Sequence, residues 1–136
     1  MNKRKVTYED LGMPPERQKE LRYFCRQYKY WKLKLETTKP SVKSQNIDGM
    51  PFSNTNNISD TTQNLAIKRV ELQEKIKMIE DSAKEASPYF WKYIINSVCY
   101  ECNYDNLQLN QGMPLSEAAF RDRVKMFFRI LDQKRN

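Results

Sequence analysis

Apolar and aromatic side chains in the first third of the chain recur at intervals of three and four residues, which commits this stretch to a helix with one buried face. The series is Leu21, Phe24, Tyr28, Trp31 and Leu35. Side chains at this spacing share one face of an α-helix, and a seam of this kind must pack against another helix. The sequence therefore predicts a long helix over residues 14–36, which starts at Pro14-Pro15.

A second series with similar spacing lies further along the chain. Its members are Leu65, Leu72, Ile76 and Ile79, and the charged Arg69 takes one position within the seam. The pattern predicts a second long helix over residues 61–86. Two such coiled-coil-like helices pack economically when they are antiparallel, either within one chain or between two chains. The spacing leaves both arrangements open, and we expect a homodimer through these helices.

The segments outside the two seams have a different composition. Residues 37–60 are rich in Ser, Thr and Asn and contain Asp48-Gly49-Met50-Pro51, which predicts a polar linker. Residues 1–13 include Lys3-Arg4-Lys5 and predict a basic flexible arm. For the remaining residues, 87–136, we predict a separate C-terminal domain.

This C-terminal unit is interrupted at Gly112-Met113-Pro114. The short apolar face before the break consists of Tyr104, Leu107 and Leu109, and the longer face after it consists of Phe120, Val124, Phe127, Phe128 and Leu131. Ser116 is suited to cap the second helix. Two helices joined by a tight turn, the second of them basic, are typical of a helix-turn-helix that reads DNA. A plain helical bundle with solvated charges has the same pattern.

The helix after the break carries charged side chains opposite its aromatic face, if each residue advances by about 100°. In helix-turn-helix proteins the start of this helix contacts base edges, and arginine pairs best with guanine. We predict that Arg121 reads a guanine. The predicted base-reading residues are Glu117, Ala118, Arg121 and Asp122, and the predicted phosphate contacts are Ser116, Arg123, Lys125, Arg129, Lys134 and Arg135.

Charge is distributed unevenly along the chain. Residues 1–43 hold twelve Lys and Arg against five acids, residues 44–112 hold six against nine, and residues 113–136 hold six against three. The net charge of the whole chain is +7. Both ends are therefore positive, which favours a polyanionic partner such as double-stranded DNA, since neutralised phosphates release counterions.

Several other classes of function are disfavoured by the composition. The chain has no His, three Gly and three Cys, so a phosphate-binding glycine loop and the commonest general base are missing. Cys99 and Cys102 have the spacing of half a zinc site without a second half, and we expect them and Cys25 to act as small apolar residues. We expect no enzymatic activity, no metal or other cofactor and no membrane partner.

Four segments together resemble a known group of proteins. They are Tyr28–Lys32, residues 43–51, Ala66–Leu72 and Ala119–Phe128, and they look like segments of small phage and prophage regulators of the ArpU and RinA type from Gram-positive bacteria. The C-terminal part of those proteins resembles the helix-turn-helix of sigma-factor region 4. The resemblance implies that Ser116–Arg129 is the recognition helix and Tyr104–Leu109 its support. The supporting helix departs from the sigma pattern, because it is short and lacks a small residue before the turn.

The residues and the resemblance lead to one interpretation with two alternatives. We expect a sequence-specific DNA-binding regulator of phage or prophage late genes, associated with DNA in the bacterial cytoplasm and able to contact RNA polymerase. The first alternative is a protein-interaction module for RNA polymerase or a host defence protein. The second is a DNA-binding protein similar to the small subunit of a DNA-packaging enzyme, which would form a ring.

Overall fold

The computed structural model describes residues 12–38 and 55–135, with side chains from 63 onward in the second range. Most of the predicted arm, residues 39–54 of the predicted linker and residue 136 lie outside the described residues. The helices within the described ranges are α1 (Pro15–Arg26), α2 (Tyr28–Thr37), α3 (Thr55–Ala86), α4 (Trp91–Val98), α5 (Tyr104–Gln111) and α6 (Glu117–Lys134). These ranges contain no strand, and the predicted all-α class is confirmed.

The first predicted helix is not continuous. It divides into α1 and α2 at Gln27, whose N–H donates to the carbonyl of Phe24 at 3.2 Å, three residues back. This tighter turn redirects the chain. As a result α1 packs beside α6, whereas α2 packs on α3. The prediction of one helix over residues 14–36 is therefore wrong, because the seam serves two different neighbours on either side of the bend.

The boundaries of two other predicted segments also differ from the structure. Met13, the last residue of the predicted arm, is 1 % exposed and belongs to the core, since burial of an apolar side chain is favourable. Helix α3 begins at Thr55, whereas the sequence places its start at 61. Residues 55–86 contain neither Gly nor Pro, so nothing in the covalent structure of the chain stops the helix from beginning earlier.

The α2 part of the first seam packs on the second seam within one chain. Helices α2 and α3 are antiparallel. Tyr28 at the start of α2 contacts Glu80 of α3, whereas Leu35 near the end of α2 contacts Arg69, which comes earlier in α3. The buried seam residues are Leu21, Phe24, Tyr28, Trp31, Ile76 and Ile79, and the half-buried ones are Leu35, Leu65 and Leu72. The six buried side chains need no second copy of the chain to cover them. The homodimer remains a prediction, and burial of these seam residues does not depend on it.

Arg69 interrupts the apolar seam for a structural reason. Its Nη1 donates to the carbonyl of Leu35 at 2.7 Å and lies 3.3 Å from Oγ1 of Thr38. Both groups belong to the C-terminal end of α2, where backbone carbonyls lack helical partners and the helix dipole favours a cation. Arg69 therefore caps the end of α2 from α3.

Helix α3 is the central element of the fold, with α2, α4 and α6 packed around it. The buried side chains form one cluster that extends from Met13 at the start of α1 to Leu131 in α6. The predicted C-terminal unit thus shares its core with the first half of the chain. The reason is that α6 packs against both α3 and α1.

Tyr28 ties α2 to α3 through a polar contact inside this core. Its side chain is 3 % exposed, and its hydroxyl donates to Oε2 of Glu80 at 2.5 Å. Burial, together with this hydrogen bond, raises the pKa of the Tyr28 phenol well above its usual range. The neutral phenol is therefore the form that the folded state prefers.

We expect Tyr28→Phe to lower the free energy of unfolding at neutral pH by about 1–2 kcal/mol, because it removes a hydrogen bond to a charged group. Because the pKa is raised in the folded state, the protonated Tyr28 phenol contributes fully to the free energy of unfolding below the usual phenol pKa of about 10. This contribution is lost as the pH rises above that value. The difference between wild type and variant should therefore shrink above about pH 10. Urea unfolding between neutral and alkaline pH measures both effects. Tyr30→Phe, at a position 63 % exposed, is the control, and an equal loss from both variants would contradict the prediction.

Candidate nucleic-acid interface

The turn between α5 and α6 is held by backbone geometry and by one buried side chain. Gly112 ends α5 in the left-handed conformation, with a φ of 72°, which glycine adopts without strain. The N–H of Met113 donates to the carbonyl of Leu107 at 3.1 Å, and the Met113 side chain is 1 % exposed. The hydroxyl of Tyr104 donates to the carbonyl of Leu115 at 2.6 Å. The start of α6 is therefore fixed relative to α5.

Ser116 caps α6, as the sequence predicts. Its hydroxyl oxygen accepts a hydrogen bond from the N–H of Ala119 at 3.2 Å. The cap satisfies one of the backbone donors that a helix start leaves without partners. The hydroxyl proton of Ser116 is still available as a donor, so the cap is compatible with the predicted phosphate contact.

The aromatic face of α6 is buried as the spacing predicts. Phe120, Phe127, Phe128 and Leu131 are at most 4 % exposed, and Val124 is half-buried against the same core. The rings of Phe127 and Phe128 meet edge to face with centroids 5.1 Å apart. This packing holds the helix from behind and leaves its opposite face toward solvent.

All four predicted base-reading residues lie exposed at the beginning of α6. They are Glu117, Ala118, Arg121 and Asp122. Arg121 forms an ion pair with Glu117 one turn away. Pairs of this kind on an exposed helix surface contribute only about 0.3–0.5 kcal/mol. The guanidinium can therefore exchange Glu117 for another partner at small cost.

The predicted phosphate contacts separate into two groups along α6. Arg123 and Arg129 are exposed, and Lys125 is half-buried at the side that faces α1. At the other end of the helix, Lys134 lies 3.2 Å from a carboxylate oxygen of Glu85 on α3. The C-terminal turn of α6 is thus partly occupied by contacts inside the protein.

Arg135, a predicted phosphate contact, makes a packing contact within the protein. Its guanidinium stacks 3.7 Å from the ring centroid of Phe24, and its Nε is buried without a hydrogen-bond partner among the described residues. The side chain contributes to packing between α1 and the end of α6, because a guanidinium plane stacks well on an aromatic ring. The predicted phosphate contact of Arg135 remains a prediction that this position does not test.

Arg22 lies near the interface, but no pattern in the sequence predicts this position. Arg22 of α1 lies in the same cleft as Arg121 and Lys125 of α6, and its guanidinium is 4.9 Å from the ring centroid of Phe128. In the sequence Arg22 is one of several charged residues on the outer side of a helix. Only the packing of α1 beside α6 brings it into this cleft.

The cysteines lie in apolar surroundings, and the acidic residues within the described ranges do not cluster with them. Within residues 12–38 and 55–135, no group of three or more His, Cys, Asp or Glu is placed to hold a metal ion. Cys25 and Cys99 are fully buried, and desolvation raises the pKa of the Cys25 thiol well above its usual range. A buried thiol that resists ionisation packs as a small apolar side chain. None of the described helices is long and apolar enough to cross a bilayer.

Comparison of the chain with protein-family models, with curated proteins and with solved structures gave no match.

Proposed function

We propose that this protein is a sequence-specific double-stranded DNA-binding regulator of transcription that inserts the beginning of α6 into the major groove. The observation that carries the proposal is the exposed start of α6, on a helix that is capped by Ser116 and held from behind by buried phenylalanines. Recognition helices contact base edges with their first turns, and they need a rigid support to keep a defined angle.

The side chains on the exposed face of α6 suit the two tasks of a DNA-binding helix. Arg121 near the start can offer a bidentate pair of donors to guanine. Arg123 and Arg129, both exposed, can contact phosphates on either side of the groove. The excess of positive charge on the chain, +7, supports binding through counterion release and predicts that affinity falls with salt.

The resemblance to ArpU and RinA regulators suggests the biological setting of the proposal. It points to late genes of a phage or prophage, with α6 at a promoter element and RNA polymerase as a further partner in the bacterial cytoplasm. A homodimer would have to use the exposed and half-buried parts of the helices, because most of the seam residues are buried within one chain.

The first test is a mobility shift with fragments of neighbouring phage or prophage DNA at two salt concentrations, with random duplex as competitor. The proposal requires a retarded fragment that survives the competitor and weakens as salt rises. Absence of binding even at low salt would refute it.

Arg121 and Arg129 provide a matched pair of variants, because they are arginines on the same helix. We expect Arg121→Ala to reduce discrimination between cognate and random duplex by about 1–3 kcal/mol, since a base contact is lost. Arg129→Ala should weaken binding to both duplexes equally and lower the salt dependence by about one phosphate contact. Fluorescence anisotropy titrations on both duplexes measure these effects. The assignment of Arg121 to base reading fails if its variant loses equal affinity on both duplexes.

One structural observation favours the protein-interaction alternative. Leu33 of α2 and Ile67 and Val70 of α3 are 60 %, 56 % and 50 % exposed. Apolar side chains at this exposure on neighbouring helices suit contact with another protein. A negative result in the mobility shift would make this alternative the leading one.

A further inference from the structure

Helix α2 packs on α3 through its seam and keeps an outer face that is exposed. Leu33 lies two positions from both Trp31 and Leu35 of the seam, and residues two apart on a helix point in directions about 200° apart. The side chains of Leu33 and Tyr30 are 60 % and 63 % exposed. Large apolar side chains therefore lie on the side of α2 that points away from α3.

The first half of α3 has a corresponding outer face. Ile67 lies two positions from both Leu65 and Arg69 of the second seam, so by the same geometry it points away from α2. Its side chain is 56 % exposed, and that of Val70, about one turn further along, is 50 % exposed. The outer faces of α2 and α3 thus lie on opposite sides of the helix pair.

The two outer faces carry opposite charges. The face of α2 includes the exposed Lys34 and also Lys29, whose Nζ lies 5.4 Å from the ring centroid of the following residue, with Glu36 at the edge. The face of α3 includes Glu71 and Glu74, both exposed. Within the described residues, neither of these two carboxylates forms an ion pair, and Lys34 forms none either. Their charges are therefore not neutralised inside the chain.

We infer that the outer face of α2 in one copy of the chain binds the outer face of α3 in a second copy. Each face spans about two helical turns. In this contact the exposed apolar side chains of one copy meet those of the other, while the lysines of α2 meet the carboxylates of α3. Contact between two identical faces would instead bring like charges together. The charges therefore favour pairing of the two different faces.

This contact has no two-fold symmetry, because the two faces of one copy lie on opposite sides of the helix pair. Each copy uses one face for a neighbour and leaves the other face open for the next. Head-to-tail contacts of this kind produce a ring when the rotation closes and a filament when it does not. Copies assembled in this way point in one direction along DNA. Together with the proposed function, on which this step rests, the assembly predicts direct rather than inverted repeats in the bound site.

Two variants, each with a single blocked face, test the assembly. Leu33→Asp blocks the face of α2, and Ile67→Asp blocks the face of α3. Both side chains are more than half exposed, so the fold should persist, which circular dichroism verifies. The control is Tyr89→Asp, at an aromatic side chain that is 88 % exposed and lies outside both faces. Sedimentation velocity measures the mass of each protein over a range of concentrations and at two salt concentrations, without DNA.

We expect the mass of the wild type and of Tyr89→Asp to rise with concentration beyond that of two copies, and to rise less in high salt. Each blocked variant alone should self-associate at least about tenfold more weakly, because the substitution places a charge in an apolar contact. An equimolar mixture of Leu33→Asp and Ile67→Asp should form a complex of two copies and no larger one, since each variant supplies the face that the other lacks.

Three results would overturn the inference. They are a wild type that stays monomeric at every concentration, a wild type whose mass stops at two copies, and a mixture of the blocked variants that forms no complex. The proposed function is tested separately by the mobility shift, so failure of the assembly and failure of DNA binding are distinguishable.

Discussion

Replacement of Phe127 by alanine is expected to lower the free energy of unfolding by about 3–5 kcal/mol, the range for truncation of a fully buried phenylalanine. Phe127 is 0 % exposed and lies on the face of α6 that closes the core. Removal of the ring loses its transfer from water and leaves a cavity, since close-packed neighbours relax only in part. A loss of this size is a large fraction of the stability of an ordinary domain.

Met126→Ala is the matched control for this variant, because Met126 is the preceding residue of the same helix and is 43 % exposed. We expect a much smaller loss from it, as its side chain already contacts solvent. Urea unfolding followed by circular dichroism measures both variants, and an unchanged dependence on urea would show that the unfolding transition is otherwise the same. Similar midpoints for the two variants would contradict the burial of the aromatic face of α6.

The second large effect is expected at Leu107, the buried residue of α5. We expect Leu107→Ala to lower the free energy of unfolding by about 2–5 kcal/mol. The helix has eight residues, so it depends on tertiary contacts for its stability. Loss of the Leu107 side chain should therefore loosen α5 and the turn that follows it.

Two measurements distinguish this local effect from general destabilisation. Global unfolding is compared with that of Leu109→Ala, since Leu109 is 78 % exposed on the same helix and its variant should be nearly neutral. Hydrogen exchange at the N–H of Met113 reports the turn directly, because this group donates to the carbonyl of Leu107. Unchanged protection of the Met113 amide in a destabilised Leu107→Ala variant would show that α5 does not depend on this side chain in the proposed way.

The contrast between Leu107 and Leu109 shows where reasoning from spacing fails. The sequence places both residues, with Tyr104, on one apolar face, but α5 buries Leu107 and exposes Leu109. Residues two positions apart in a helix point in directions about 200° apart, so they cannot share a face. In a short segment the choice between them is made by the neighbouring helices.

The long and strongly periodic face of α6 was predicted more successfully. Its buried phenylalanines and the cap at Ser116 follow from local rules that hold in any helix of this kind. The break at Gln27 did not follow from such rules, because Leu21 to Leu35 keep one helical spacing through it. The positions of Arg22 and Arg135 could not be predicted from the sequence either, since each side chain stacks on an aromatic ring of another helix.

The sequence by itself determined that this chain is helical, where the turn before α6 falls and which side of α6 is apolar. These properties depend on residues within a few positions of one another, through periodicity, glycine conformation and capping. The tertiary structure decided that α2 packs on α3 within one chain, that α1 and α2 are separate helices, and that Arg22 stacks on Phe128 while Arg135 stacks on Phe24. These outcomes depend on which helices become neighbours, and that choice is made by the burial of apolar surface over the whole molecule at once.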